Sequence, residues 1–216
     1  MIYLDSALIE EAKIAIKLGW VKGITTNPTL LAKSPLSPEA TLKLLAEISP
    51  GEVYYQLYSN NFNNMIAEGK QAAEIIGEKI VLKIPATKIG FAAAAQLSST
   101  INCSITGIYS SAQALVAKET GAKYAIAYVN RATRLLGDGL ALVESMAKVL
   151  QGSKIKILAA SLKSPQEVSA AIQAGADCVT LPLELIEAMT YHPFSVETVE
   201  QFLATGRGIN LSTESK

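Results

Sequence analysis

KIVLKIPATKIGFAAAAQLS, residues 79–98, decides the fold. Its first part, Lys79–Ile84, is of strand length and built on the large apolar residues Ile80, Val81, Leu82 and Ile84, closed by Pro85. A helical stretch from about Ile89 to Ser98 follows at once. A strand feeding directly into a helix is half of a β-α-β unit, and that unit lays strands parallel.

The same rhythm runs outward in both directions. Upstream are Ile2–Asp5, with Ser6 as the expected cap of a helix to about Leu18; Val21–Thr25, with helical material after Asn27-Pro28; and Glu52–Leu57, with a helix from about Asn61 to Ile76. Downstream are Ile101–Ile105 with a helix over Ser110–Thr120, and Tyr124–Val129 with a long helix over Asp138–Leu150. Lys154–Ala159 follows, with a helix after Ser164-Pro165, and then Ala176–Leu181 with short helices at Leu185–Met189 and Val196–Thr205. Eight strands alternating with helices are the number that closes a (β/α)8 TIM barrel, an α/β fold. An open doubly wound sheet is the rival, but no G-x-G-x-x-G follows the first strand. The reading is one barrel with its C-terminal helix over residues 1–205, and a loosely ordered tail over 206–216.

Composition narrows the function. The chain has 216 residues, half of them apolar, enough for one substantial core. Nineteen basic residues balance nineteen acidic ones, which offers nucleic acid no bulk attraction. No long uncharged apolar run suggests a membrane span, and the early acidic residues of MIYLDSALIEEAK are unlike a signal peptide. Cys103 and Cys178 form no C-x-x-C pair, so a reduced, cytoplasmic protein is expected. His192 is the single histidine, which argues against a zinc site and against a Ser-His-Asp triad. His192 and Trp20 read as structural, and no cofactor is expected. Carboxylates, tyrosine, lysine and backbone groups are left to carry chemistry.

Barrel sites form at the C-terminal ends of the strands. There this sequence places Asp5, then Thr25, Thr26 and Asn27, then Gln56, Lys83, Ser104 and Thr106, then Tyr128 and Arg131, and finally Ser161 and Lys163. Lys83 stands out, because Ile80-Val81-Leu82-Lys83-Ile84-Pro85 is otherwise apolar. A low-dielectric interior disfavours ammonium and would leave an amine able to attack a carbonyl. The plainer reading is a lysine that snorkels to solvent or pairs with Asp5. Imine chemistry also needs a proton shuttle, for which Tyr128 would serve directly or through a water held by Gln56 and Thr106. Tyr128 reads equally as a core aromatic, and Asp5 as a helix cap or lysine partner. Arg131 and Ser161 suggest a phosphate pocket, with Arg134 a nearby competitor and a solvent-facing arginine the default for either.

At these residues the sequence resembles the transaldolase family, and within it the small subfamily that includes fructose-6-phosphate aldolase. The likeness runs from Met1 to about Ala204. It is carried by Tyr3-Leu4-Asp5, Gly23 to Pro28, Val81 to Thr87, Ile101-Asn102-Cys103, Thr106 to Gln113, Tyr128 to Arg131, Ala159-Ala160-Ser161 and Thr180 to Leu183. The resemblance implies that Lys83 forms a Schiff base with a ketose, that Asp5 and Asn27 hold substrate hydroxyls, and that Arg131 and Ser161 bind phosphate. Transaldolases typically place glutamate at Gln56 and phenylalanine at Tyr128, so this pair points toward the aldolase, whose tyrosine protonates the bound dihydroxyacetone carbanion. Ser104 departs from a transaldolase asparagine that contacts the imine, and Ile126 from a residue small in many members. The resemblance further implies decamers of two pentamer rings, with Val196–Thr205 reaching onto a neighbour.

The expected activity is cleavage of fructose 6-phosphate to dihydroxyacetone and glyceraldehyde 3-phosphate, or the reverse addition. A transaldolase moving dihydroxyacetone between sugar phosphates is the runner-up. A barrel that only binds a sugar phosphate would leave Lys83 without purpose.

Overall fold

The computed structural model describes residues 1–209. Eight parallel strands close into a barrel in sequence order. They are β1 (Ile2–Asp5), β2 (Ile24–Thr25), β3 (Val53–Gln56), β4 (Ile80–Pro85), β5 (Cys103–Ile108), β6 (Tyr124–Tyr128), β7 (Lys156–Ala160) and β8 (Cys178–Leu181). The helices between and after them are α1 (Ile9–Lys17), α2 (Pro28–Leu31), α3 (Pro38–Ile48), α4 (Phe62–Ile76), α5 (Lys88–Leu97), α6 (Ser111–Glu119), α7 (Val129–Leu136), α8 (Gly139–Leu150), α9 (Pro165–Gln173), α10 (Leu183–Ala188) and α11 (Pro193–Thr205). The closed parallel barrel read from the sequence is therefore the fold. Of the tail expected over 206–216, residues 210–216 lie outside the described residues.

Local chemistry explains how each strand hands over to its helix. Asn27, Ser37, Asn61, Thr87, Ser110, Asp138 and Ser164 each accept a hydrogen bond from a backbone amide in the first turn of the helix they precede. Pro28, Pro38 and Pro165 begin three of those helices, where a missing N–H costs nothing. At Gly90 the fit is tight, since a Cβ there would collide with the Pro85 carbonyl oxygen. His192 caps α11 by accepting from the Phe194 amide at 3.2 Å, a structural part.

Two expectations fail. Ser6 does not cap α1; its hydroxyl oxygen accepts from the Leu8 amide at 3.1 Å, and the helix starts after Leu8 with no side-chain cap. The stretch after Tyr128 is the separate helix α7, missed in the sequence because it starts directly from the strand with no capping side chain. Its first turns also carry Asn130, Arg131 and Thr133, which read as a loop.

Alternation along the strands divides the apolar residues into two shells. Leu4, Ile24, Val53, Leu82, Ile84, Ile105, Ala125 and Val179 pack outward with the helices. Tyr3, Tyr54, Val81, Tyr124, Ile126, Leu158, Ala160 and Cys178 fill the barrel itself, with Tyr128 resting on them. At the lower end the hydroxyls of Tyr3, Tyr54 and Tyr124 all donate to one Glu52 oxygen, at 2.7, 3.0 and 2.8 Å, while Lys123 holds the other at 2.7 Å. Burial opposes the Glu52 charge, but the bonds from Lys123, Tyr3 and Tyr124 outweigh it and hold the carboxyl below its ordinary range. Burial pushes the Tyr124 hydroxyl up to about 12. This knot stoppers the barrel at the N-terminal end of its strands.

Both cysteines are buried free thiols, raised by burial to about 11 for Cys103 and about 12 for Cys178. Among the described residues no helix is long and apolar enough to cross a membrane.

Candidate active site

A cleft of about 420 Å³ opens at the C-terminal end of the barrel. Asp5, Asn27, Gln56, Lys83, Tyr128, Arg131 and Ser161 line it, seven of the residues singled out in the sequence. Thr26, Ser104 and Thr106 are buried in its supports instead.

Lys83 stands on β4, paired in register with Gln56 of β3 on one side and Ser104 of β5 on the other. It is only 3% exposed. Its Nζ donates to the Thr26 carbonyl oxygen at 2.9 Å, and among the described residues no carboxylate lies within ion-pair range. Neither plainer reading of this lysine holds, since it neither snorkels nor pairs with Asp5. Thr26 earns its place through its backbone, for its own hydroxyl is turned away to the Tyr54 carbonyl at 2.7 Å. The Ser104 hydroxyl donates to the Leu82 carbonyl at 2.9 Å, and Ile126 lies fully buried in the barrel interior.

Asp5 ends β1 and accepts a hydrogen bond from the Thr25 hydroxyl at 2.7 Å, which in turn sits 2.6 Å from that of Thr180. This chain aims a carboxylate at the cleft from the wall beside Asn27. Asn27 divides its side chain, since Oδ1 accepts from the Leu30 amide at 3.0 Å as the α2 cap while the residue faces the cleft.

Opposite them, Thr106 donates to the Tyr128 hydroxyl oxygen at 2.9 Å. That leaves the phenolic proton of Tyr128 free to be donated into the cleft. The register of β5 shifts between Thr106 and Ile108, around Gly107 at φ 73°, a conformation glycine adopts without strain. The Tyr128 ring is fixed by Tyr109 edge-on, with centroids 6.4 Å apart, and by the Arg131 guanidinium 4.9 Å from its centroid. Gln56 is the odd member. It lines the cleft, yet its Oε1 is buried with no hydrogen-bond partner, an acceptor left unsatisfied.

Arg131 lies on the first turn of α7, at the mouth of the cleft, while Arg134 does not line it. Ser161 follows β7 at φ 60°, the only residue other than glycine in the left-handed region among those described. Sparsely populated backbone conformations of this kind cluster at active sites and ligand clamps. The Ser161 carbonyl accepts from the Asn130 amide at 3.0 Å, tying it to α7. Glu167 strengthens the tie by accepting from Asn130 Nδ2 at 3.1 Å and from the Lys163 amide at 2.8 Å. The cleft also takes in Lys163 and Thr180. In the sequence Lys163 stands at a strand end with no task of its own, and the spacing Ser161-Leu162-Lys163 around one buried leucine is the signal that turns it to the same side as Ser161. Arg131, Ser161 and Lys163 thus bring two cations and a hydroxyl to the same cleft as the amine, the carboxylate and the phenol, with Arg131 directly over the Tyr128 ring.

Residues 2–213 match the family described as Transaldolase/Fructose-6-phosphate aldolase. A protein of Exiguobacterium sibiricum named probable transaldolase is 37% identical over 206 residues, covering 94% of this chain and 95% of its own. Proteins of the same name from Kosmotoga olearia and Nitrosopumilus maritimus are 35% and 34% identical, each covering 94% of this chain and respectively 94% and 92% of their own. Among solved structures, a mandelate oxidase variant carrying an FMN adduct superposes with a TM-score of 0.63 at 17% identity, over 94% of this chain and 71% of that one. That likeness is one of fold alone.

Proposed function

Because the chain belongs to the transaldolase/fructose-6-phosphate aldolase family, we propose that it is a Schiff-base aldolase that cleaves fructose 6-phosphate to dihydroxyacetone and glyceraldehyde 3-phosphate, or runs the addition in reverse. The observation that carries this reading is Lys83, a buried amine inside a polar cleft with a single backbone carbonyl as partner.

In this mechanism the Lys83 amine adds to the C2 carbonyl of the ketose and the carbinolamine loses water to give an iminium ion. Asp5 takes the proton of the C4 hydroxyl, the C3–C4 bond breaks, and its electron pair passes into an enamine while glyceraldehyde 3-phosphate leaves. Tyr128, held by Thr106, supplies the proton that C3 then takes up. A water accepted by Gln56 Oε1 hydrolyses the iminium, releasing dihydroxyacetone and the free amine. Asn27 holds a substrate hydroxyl. Arg131, Ser161 and Lys163 receive the phosphate.

A transaldolase is the second reading, favoured by the names that the relatives carry. Both reactions share the imine and differ in the fate of the enamine. Release of glyceraldehyde 3-phosphate from fructose 6-phosphate alone, compared with release after adding erythrose 4-phosphate, separates them. Sustained release without the acceptor supports the aldolase; release only with it leaves the transaldolase.

The phosphate anchor makes its own prediction. Arg131→Ala is expected to raise KM for glyceraldehyde 3-phosphate in the synthetic direction by about tenfold, the loss of one charge-assisted contact, with kcat within about twofold. An unchanged KM would move the anchor to Lys163.

The assembly is proposed as a homo-oligomer, a decamer of two pentamers in the family's manner. Supporting it, no residue of α11 is buried, and Phe194, Phe202 and Leu203 are 70%, 69% and 79% exposed. An apolar helix left bare this way calls for a covering surface. Sedimentation should show a mass many times that of the chain, reduced by Phe202→Asp with Leu203→Asp; a wild-type monomer at micromolar concentration would end the idea.

A further inference from the structure

Glu68 lies on α4, outside the cleft, and no step above uses it. It is nevertheless turned back toward β3. Its Oε1 accepts from the Tyr55 hydroxyl at 2.6 Å and from the Tyr58 amide at 2.8 Å, and its Oε2 accepts from the Ser59 amide at 2.9 Å. These partners bracket one residue of the site, Gln56. Tyr55 precedes it, and Tyr58 and Ser59 follow Leu57.

Glu68 has no Lys or Arg partner among the described residues, so its carboxylate is committed to this segment. Burial works against its charge, but bonds from Ser59, Tyr55 and the Tyr58 amide prevail and keep the carboxyl low. Up to Leu57 the segment is also held by the sheet, where Gln56 pairs in register with Lys83, and by the buried Leu57 side chain; beyond it Glu68 takes over. The Leu57 amide donates to the Lys83 carbonyl at 3.0 Å, and then Tyr58 is 80% exposed with its amide bound to Glu68 alone. Gln56 itself gives no anchoring bond through Oε1, which is buried and unpartnered. The Gln56 backbone is set by its strand pairing, while its side chain, with no bond through Oε1, depends for its aim on how the flanking residues are held.

We propose that Glu68 is a positioning residue whose three-donor clasp on Tyr55, Tyr58 and Ser59 aims Gln56 into the cleft. The inference rests on the imine reading for what Gln56 does there, though not for where Gln56 is held. Glu68 touches no substrate. Its loss acts on the steps after carbon–carbon cleavage, those that need the water.

The experiment is a double-mutant cycle of Glu68→Ala and Gln56→Ala, read by steady-state turnover of fructose 6-phosphate, with borohydride trapping of the imine alongside. Glu68→Ala should lower kcat about tenfold with KM within about twofold, since a displaced group costs rate more than binding. The double variant should be no slower than Gln56→Ala, because both changes remove one function. Glu68→Gln, which keeps an acceptor for Tyr55 and Tyr58, should recover most of the rate. Trapping should match the wild type throughout. Multiplied losses in the cycle, or an undiminished kcat in Glu68→Ala, overturn the inference while leaving the imine reading intact. Absence of trapping in the wild type overturns that reading instead, and the clasp is then judged by a crystal structure of Glu68→Ala. There an undisplaced Gln56 refutes it and a displaced one supports it. Should Glu68→Ala fail to fold, Tyr55→Phe removes a single bond of the clasp and must show the same coupling to Gln56→Ala, in smaller measure.

Discussion

Lys83→Ala is expected to leave a folded barrel whose turnover is lower by on the order of 10^4-fold or more, because no other group can take over the covalent step. Borohydride in the presence of fructose 6-phosphate or dihydroxyacetone should fix substrate to the wild type at one site and to the variant not at all. Lys83 is 3% exposed between Gln56 and Ser104 in register, so the replacement leaves a void and strips the Thr26 carbonyl of its 2.9 Å donor. Some loss of thermal stability should therefore accompany the loss of activity. A melting curve with one cooperative transition separates the two effects. Lys163, the other lysine lining the cleft, is the control. Trapping that persists in Lys83→Ala and vanishes in Lys163→Ala would transfer the nucleophile to Lys163 and break the mechanism proposed above.

Tyr128→Phe removes one oxygen and little else. The ring keeps its edge contact with Tyr109 and its place beneath Arg131, so the shape of the cleft is preserved. What disappears is the acceptor for Thr106 and the proton that Tyr128 can donate. Cleavage of fructose 6-phosphate without an acceptor sugar should slow by about 100-fold, the usual worth of a placed general acid. Transfer of the three-carbon unit to erythrose 4-phosphate should fall much less, since an aldehyde then discharges the enamine in place of the proton. The ratio of the two rates is the measurement. A variant in which both fall equally would show that Tyr128 serves the shared imine steps and does not decide between lyase and transferase.

How much of the site was legible in the sequence varies by residue and for a physical reason. Lys83 was conspicuous because a charged group amid Ile80, Val81, Leu82 and Ile84 violates its surroundings, and such violations are visible in one dimension. Asp5, Gln56 and Tyr128 were found by position, each ending a strand, and the cleft gathers all three. Thr26 was found for its side chain but contributes its carbonyl. The strained backbone of Ser161 left no trace in the sequence, where it is one serine among many. Helix α7, which carries Arg131, was hidden by its lack of a capping side chain and its polar first turns.

By itself the sequence determined the barrel. Strand and helix periods, proline at first turns and polar caps before them act over a few residues, and a chain that repeats the unit eight times reports its fold locally. Only the tertiary structure decided which polar groups meet. The partner of Lys83 is 57 residues away, Glu52 gathers hydroxyls from β1, β3 and β6, and Tyr128 finds Thr106 across a bulged register. Those pairings are set by how the closed sheet aligns its strands, and no local preference of an amide or a carboxylate encodes that alignment.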